Sequence, residues 1–203
     1  MSLFPVMLHG EAIGALVVGG GVVGARKAAA LLEAGAAVHV VAPAPRAELV
    51  ALAAGQPRLR LSRREFAEGD LDACTLVVAA TDSREVNARV ARLARARRLP
   101  VNVVDAPEEG TFSTAAVHRA GELVVAVGAG GVPTAAARVR DAIAEWLDAR
   151  VGDAVARLAA LRARLLAAGD GAGWRRATVE LTGADFVARV RAGTFAEQMR
   201  GWE

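Results

Sequence analysis

The stretch Ala15-Leu16-Val17-Val18-Gly19-Gly20-Gly21-Val22-Val23-Gly24 constrains this chain more than any other. A short apolar run leads into three glycines, and a fourth opens a run of helix-forming residues. Gly19, Gly21 and Gly24 fill the spacing G-x-G-x-x-G, which reads as strand, tight turn and helix. Each glycine has its own task. Gly19 permits the sharp turn off the strand, Gly21 lets backbone come close to a pyrophosphate, and Gly24 lets helix pack on strand. The diphosphate then faces unpaired N–H groups at the positive end of the helix. Gly19, Gly20, Gly21, Val22, Val23 and Gly24 are therefore the first cofactor-binding candidates.

The surroundings support that reading. Ala25–Ala34 is a good helix former stopped by Gly35, and Ala37–Ala42 reads as a second strand. Together they complete a βαβ unit of about 30 residues. The alternative is a glycine-rich turn that binds nothing, and the complete strand–turn–helix context favours a Rossmann nucleotide unit. One part is missing. An acid should follow the second strand to meet the ribose hydroxyls, yet that strand runs into Ala42-Pro43-Ala44-Pro45-Arg46. Backbone at Pro43 and Ala44 is the candidate lining of the adenosine pocket. Arg46 is either a 2′-phosphate contact or a solvated first-turn arginine, so residues alone leave NAD and NADP open.

Composition narrows the class. With 54% hydrophobic and 23% charged residues in 203, the chain can bury a proper core. The 25 basic residues are dispersed among 22 acidic ones, Lys27 is the only lysine, and aromatics are 4%. That is not the basic, aromatic-studded stripe of a nucleic-acid binder. The lone Cys74 precedes an apolar strand and reads as a buried, inert thiol. No signal-peptide pattern opens the chain and no apolar run approaches about 20 residues, so the expectation is a cytoplasmic protein with no membrane contact.

Along the chain, Pro5–Leu8 reads as a short edge strand, Arg46–Ala54 as a helix and Leu59–Ser62 as a strand. Thr75–Ala80 reads as a buried parallel strand ending at Thr81-Asp82-Ser83, where the helix Arg84–Arg98 begins. Ligands lie beyond the carboxyl ends of such strands, so Thr81 and Asp82 are nucleotide contacts or caps of that helix. The next strand, Val101–Val104, carries Asn102, taken with the cofactor-binding set, and ends in Asp105-Ala106-Pro107. Asp105 is either a base that accepts a proton beside nicotinamide or an Asp bonded only to its own turn.

Beyond Gly110 the character changes. Thr111–Val117 and Glu122–Val127 read as strands joined by His118-Arg119-Ala120-Gly121, and a second glycine-rich turn runs from Gly128 to Thr134. A helix over Ala135–Arg150 would put Val139, Ile143, Trp146 and Leu147 on one face, which suggests a dimerisation segment. His118 and Arg119 are candidate contacts for a carboxylated substrate or a solvated hairpin turn. From Gly152 the pattern is helical, with Val155, Leu158, Leu161 and Leu165 in a stripe. The architecture read is α/β: a Rossmann domain over 1–112, a small α+β dimerisation segment over 113–150 and a helical module over 151–203. No Cys/His cluster has metal-ligand spacing, so no metal site is assigned.

Val18–Ala28, Leu32–Ala36, Val77–Asp82 and above all Asn102-Val103-Val104-Asp105-Ala106-Pro107 resemble the siroheme-synthase family, from about Phe4 to Arg150. The resemblance implies an NAD⁺-dependent oxidation of precorrin-2 to sirohydrochlorin by a homodimer, with Asp105 at the position of the family's essential aspartate. Gly128 and Ala129 stand where many members carry serines, and with His118 and Arg119 they form the implied substrate set. Two alternatives stay open. One is a bifunctional enzyme that also inserts Fe²⁺; the other is a nucleotide-sensing module without catalysis.

Overall fold

The computed structural model describes residues 3–202. They divide between Thr114 and Ala115 into two compact units. The first is a parallel sheet of five strands: β1 (Gly14–Val18), β2 (Ala37–Val41), β3 (Leu59–Ser62), β4 (Leu76–Ala79) and β5 (Val101–Val103). Their order is β3-β2-β1-β4-β5, so the winding reverses between β1 and β4. In a doubly wound sheet, that reversal opens a crevice at the carboxyl ends of the strands.

The strands are apolar on both faces because both are covered. Helices α1 (Val22–Glu33) and α2 (Ala47–Gly55) cover one face, where Val17, Val40, Val78, Ala28 and Leu49 are buried. Helix α3 (Arg84–Ala96) covers the other, over Leu16, Val18, Val77, Val90 and Val103. Each fully buried Leu or Val contributes roughly 1.5–3 kcal/mol of transfer free energy. Ser83 caps α3, its hydroxyl accepting from the Val86 N–H at 3.3 Å.

Two expected strands come out differently. Pro5–Leu8 is extended but unpaired, with Phe4 88% and Met7 68% exposed. Its apolar content suits a strand, but it joins neither edge of the sheet, which ends at β3 on one side and β5 on the other. Thr111–Ala115 is also not a strand. Instead the Thr111 N–H donates to the Val101 carbonyl at 2.7 Å, while the Val101 N–H donates to Thr111 Oγ1 at 2.9 Å. Phe112 packs into the apolar layer nearby. The segment thus covers the outer edge of β5, which would otherwise present unpaired backbone groups.

In the second unit, β6 (Ala116–Ala120) and β7 (Leu123–Val127) form an antiparallel hairpin turning at Gly121, whose φ is +55°. Helix α4 (Pro133–Ala144) packs on the hairpin. The single helix expected over Ala135–Arg150 is in fact interrupted. Asp148 accepts from the Arg150 N–H at 3.0 Å and starts α5 (Ala149–Ala167). An N-cap side chain competes with helix continuation, and here it wins. Helices α6 (Gly171–Leu181), α7 (Phe186–Ala192) and α8 (Phe195–Arg200) close over α5 around Leu158, Leu161, Leu181, Phe195 and Met199. No helix among the described residues is long and apolar enough to cross a membrane.

Candidate functional site

The glycine turn is built by close backbone approach. Gly19 has φ +119°, and a Cβ there would lie 2.2 Å from the Ala80 carbonyl oxygen, inside contact distance. A Cβ on Gly24 would lie 2.2 Å from the Gly19 carbonyl oxygen, so α1 descends directly onto β1. A Cβ on Gly20 would meet Pro45 and Ala42 at 2.7 Å. Gly21 differs: nothing lies within 4 Å of its missing Cβ, so its backbone faces open space. It is the N-cap of α1, with no side-chain cap and no acid in the first turn. The positive end of the helix dipole is left for an external anion.

This turn floors a cleft of about 760 Å³ at the carboxyl ends of β1, β2 and β4. Gly19, Gly20, Gly21, Val22 and Val23 line one wall, Pro43 and Ala44 the end beyond β2, and Thr81 and Asp82 the end beyond β4. Gly24 is buried behind the turn. Arg46 and Arg89 add positive charge to the walls, and Glu65 and Asp82 add negative charge.

Asp105 follows β5 on the same rim, with its side chain one-third exposed at 33%. It does not line the cleft, but one residue joins it to the lining. Asn87, on α3 and 0% exposed, donates from Nδ2 to Asp105 Oδ1 at 3.0 Å and to the Thr81 carbonyl at 2.9 Å. Its Oδ1 accepts from the Thr81 N–H at 3.0 Å and lies 2.7 Å from the Thr81 hydroxyl. Arg84 approaches Asp105 at 3.9 Å while its guanidinium is bonded to Glu109.

A dinucleotide cradle at the switch point of a doubly wound sheet is matched by a family model. The model, described as putative NAD(P)-binding, covers residues 6–116. The chain belongs to this NAD(P)-binding family. It is also similar to the siroheme synthase of Pseudomonas entomophila (strain L48), 45% identical over 151 residues, or 74% of this chain and 32% of that protein. The siroheme synthase of Methylococcus capsulatus is 41% identical over 167 residues, 81% of this chain and 35% of that protein. The chain therefore spans about a third of the length of these curated relatives. A solved structure, "SirC, precorrin-2 dehydrogenase", shares the fold with a TM-score of 0.76 and 24% identity, covering 98% of this chain and 100% of that one.

Asn102, His118, Arg119, Gly128 and Ala129 are not among the residues that line this cleft. Asn102 is buried in β5, where Nδ2 donates to the Phe112 carbonyl at 3.1 Å and fastens the segment that leaves the sheet. His118 and Arg119 are not in the hairpin turn but within β6, because the reversal falls later, at Gly121. The His118 ring N–H at Nε2 donates to the Leu147 carbonyl at 2.6 Å, which ties β6 to the connection between α4 and α5. Gly128 and Ala129 follow β7 in the second unit and lead to Gly130 and Gly131, with φ of +54° and +90°. Lys27 is half-buried and donates to the Thr114 hydroxyl, and burial pushes its ammonium below the usual lysine range. Burial likewise raises the Cys74 thiol, whose Sγ lies 3.4 Å from the Leu71 carbonyl.

Phe66, Arg89 and Asn87 are among the site residues that sequence reasoning missed. Phe66 and Arg89 line the cleft, the guanidinium 5.8 Å from the ring centroid. Phe66 sits in irregular chain, where no periodicity marks it. Asn87 did leave a trace: it shares the helical spacing of Val90, Ala91 and Ala94, an amide on an otherwise apolar stripe.

Proposed function

We propose that this chain is an NAD⁺-dependent dehydrogenase that converts precorrin-2 to sirohydrochlorin in the cytoplasm, working as a homodimer. The observation that carries the reading is the amide bridge from Asp105 to Thr81, which links a carboxylate on the β5 rim to the wall of a dinucleotide cleft. The names of the similar proteins supply the substrate class.

The residues fit the cofactor. The uncapped first turn of α1 and the open face of Gly21 suit a pyrophosphate, and Pro43 and Ala44 bound the adenosine end. Arg46, on the cleft wall, is paired with Glu48 at 3.3 Å, and the nearby carboxylate disfavours an added 2′-phosphate, which favours NAD⁺ over NADP⁺. Bound NAD⁺ supplies the acceptor for the hydride that leaves the macrocycle. The carboxylate of Asp105 takes the accompanying proton at an oxygen and passes it to solvent, so the substrate loses two electrons and two hydrogens. Thr81 and Asp82 orient the cofactor, while His118, Arg119, Gly128 and Ala129 serve the carboxylate-rich substrate. Val132, Val139 and Trp146, exposed at 56%, 49% and 63%, form the face a second copy would cover.

Anaerobic conversion of precorrin-2 by the purified protein with NAD⁺, followed by visible absorption, tests the assignment. Asp105→Asn is expected to lower kcat about 10²–10⁴-fold and to leave NAD⁺ affinity unchanged by calorimetry. A wild-type rate in that variant overturns Asp105 as the base. NAD⁺ binding with no turnover by the wild type would instead favour a sensing module. Fe²⁺ uptake by sirohydrochlorin above the uncatalysed rate would add metal insertion. Sedimentation equilibrium reads the dimer.

A further inference from the structure

We infer that Asn87 is a positioning residue, which holds the Asp105 carboxylate in fixed register with the cofactor-facing loop at Thr81. The inference rests on the reading of Asp105 as the proton acceptor.

A primary amide buried in an apolar helix face is unfavourable unless its donors and acceptors are matched. Asn87 is fully buried beside Val90, Ala91 and Ala94, and both its amide nitrogen and its amide oxygen are hydrogen-bonded. Oδ1 accepts from the Thr81 N–H and lies 2.7 Å from the Thr81 hydroxyl, which also reaches the Ser83 carbonyl at 3.0 Å; the two donors on Nδ2 meet the Thr81 carbonyl and Asp105 Oδ1. The amide cannot be turned over. The Thr81 N–H can only donate, and the Thr81 carbonyl and the carboxylate can only accept. Helix capping does not explain the residue either, since Ser83 already performs that task.

One rigid group thus pins the residues that follow two adjacent strands, β4 and β5. Asp105 has no other close donor among the described residues. Arg84 on α3 stands 3.9 Å away and is engaged by Glu109, with Glu108 also in its field. Without the amide, a carboxylate on an exposed turn would be free to rotate away from the proton it must accept. Displacements of about 1 Å can cost on the order of a hundredfold in rate.

Asn87→Asp preserves shape but turns the donor that faces Asp105 into a carboxylate oxygen. The acid limb of its kcat–pH profile is expected to move to higher pH by about one unit or more, because two facing carboxylates cannot both ionise easily. Asn87→Ser removes the bridge without adding charge. It is expected to lower kcat about tenfold or more with the precorrin-2 KM within about threefold, and to speed hydrogen exchange at the Thr81 amide in the protein without NAD⁺. A pH profile coincident with wild type in Asn87→Asp overturns the inference. If that variant does not fold, wild-type kcat and exchange in Asn87→Ser overturn it equally. Asp105→Asn, run in parallel, separates the two readings. Full activity there means the base is misassigned, whereas lost activity there with unaltered Asn87 variants refutes only the positioning role.

Discussion

Two glycine-rich turns introduce helices in this chain, and they use glycine for different reasons. At Gly19–Gly24 the missing side chains make room for backbone: a Cβ on either end glycine would stand 2.2 Å from a carbonyl oxygen. At Gly130 and Gly131 nothing lies within 4 Å, and glycine is needed only for φ values of +54° and +90°. The first turn leads into a helix with an uncapped glycine at its start, the second into one that begins with Pro133. Close packing makes the floor of a cleft, whereas a left-handed kink merely redirects the chain.

Substitutions should separate these uses. Gly19→Ala combines a clash with a positive φ and is expected to cost about 3 kcal/mol or more and to abolish NAD⁺ binding, read by urea unfolding and calorimetry. Gly152 is the second unit's nearest counterpart, since its Cβ would lie 2.1 Å from the Ala120 carbonyl oxygen. Gly152→Ala should therefore cost about 2–3 kcal/mol in the unfolding of that unit while NAD⁺ affinity is retained. Gly130→Ala should cost only about 1–2 kcal/mol, the penalty of a left-handed alanine. If Gly130→Ala proved as damaging as Gly19→Ala, the contrast between the turns would collapse.

The smallest effect concerns pH. His39 is bonded to Ser62 at 2.9 Å, and burial first, then Arg60, hold its imidazole below the usual 6.5. The unfolded chain therefore binds this proton more readily than the folded one. Its share of stability is complete above about pH 6.5 and falls as pH drops from there towards the lower folded value, by less than about 1 kcal/mol at this partly exposed site. His39→Gln should flatten that segment of the curve of unfolding free energy against pH, measured in urea.

The parallel sheet was legible because its signals are local. Apolar runs such as Leu76–Ala79 demand two covered faces, and Gly35 stops a helix without help from distant residues. The misread segments depend on partners. Pro5–Leu8 has a strand's composition but pairs with neither sheet edge; Thr111 bonds across to Val101, which lies before it in the chain. The reversal at Gly121 and the cap at Asp148 were both decided by which of two adequate local signals the surrounding packing favoured.

By itself the sequence determined the glycine cradle, the strand ends that carry Thr81 and Asp105, and the apolar faces that bring those ends to one rim, since periodicity and chain punctuation need no third dimension. Only the tertiary structure decided that Asn87 would stand between them and that Asn102 would turn into the sheet. Hydrogen bonds between residues six and eighteen positions apart depend on distances that no linear pattern encodes.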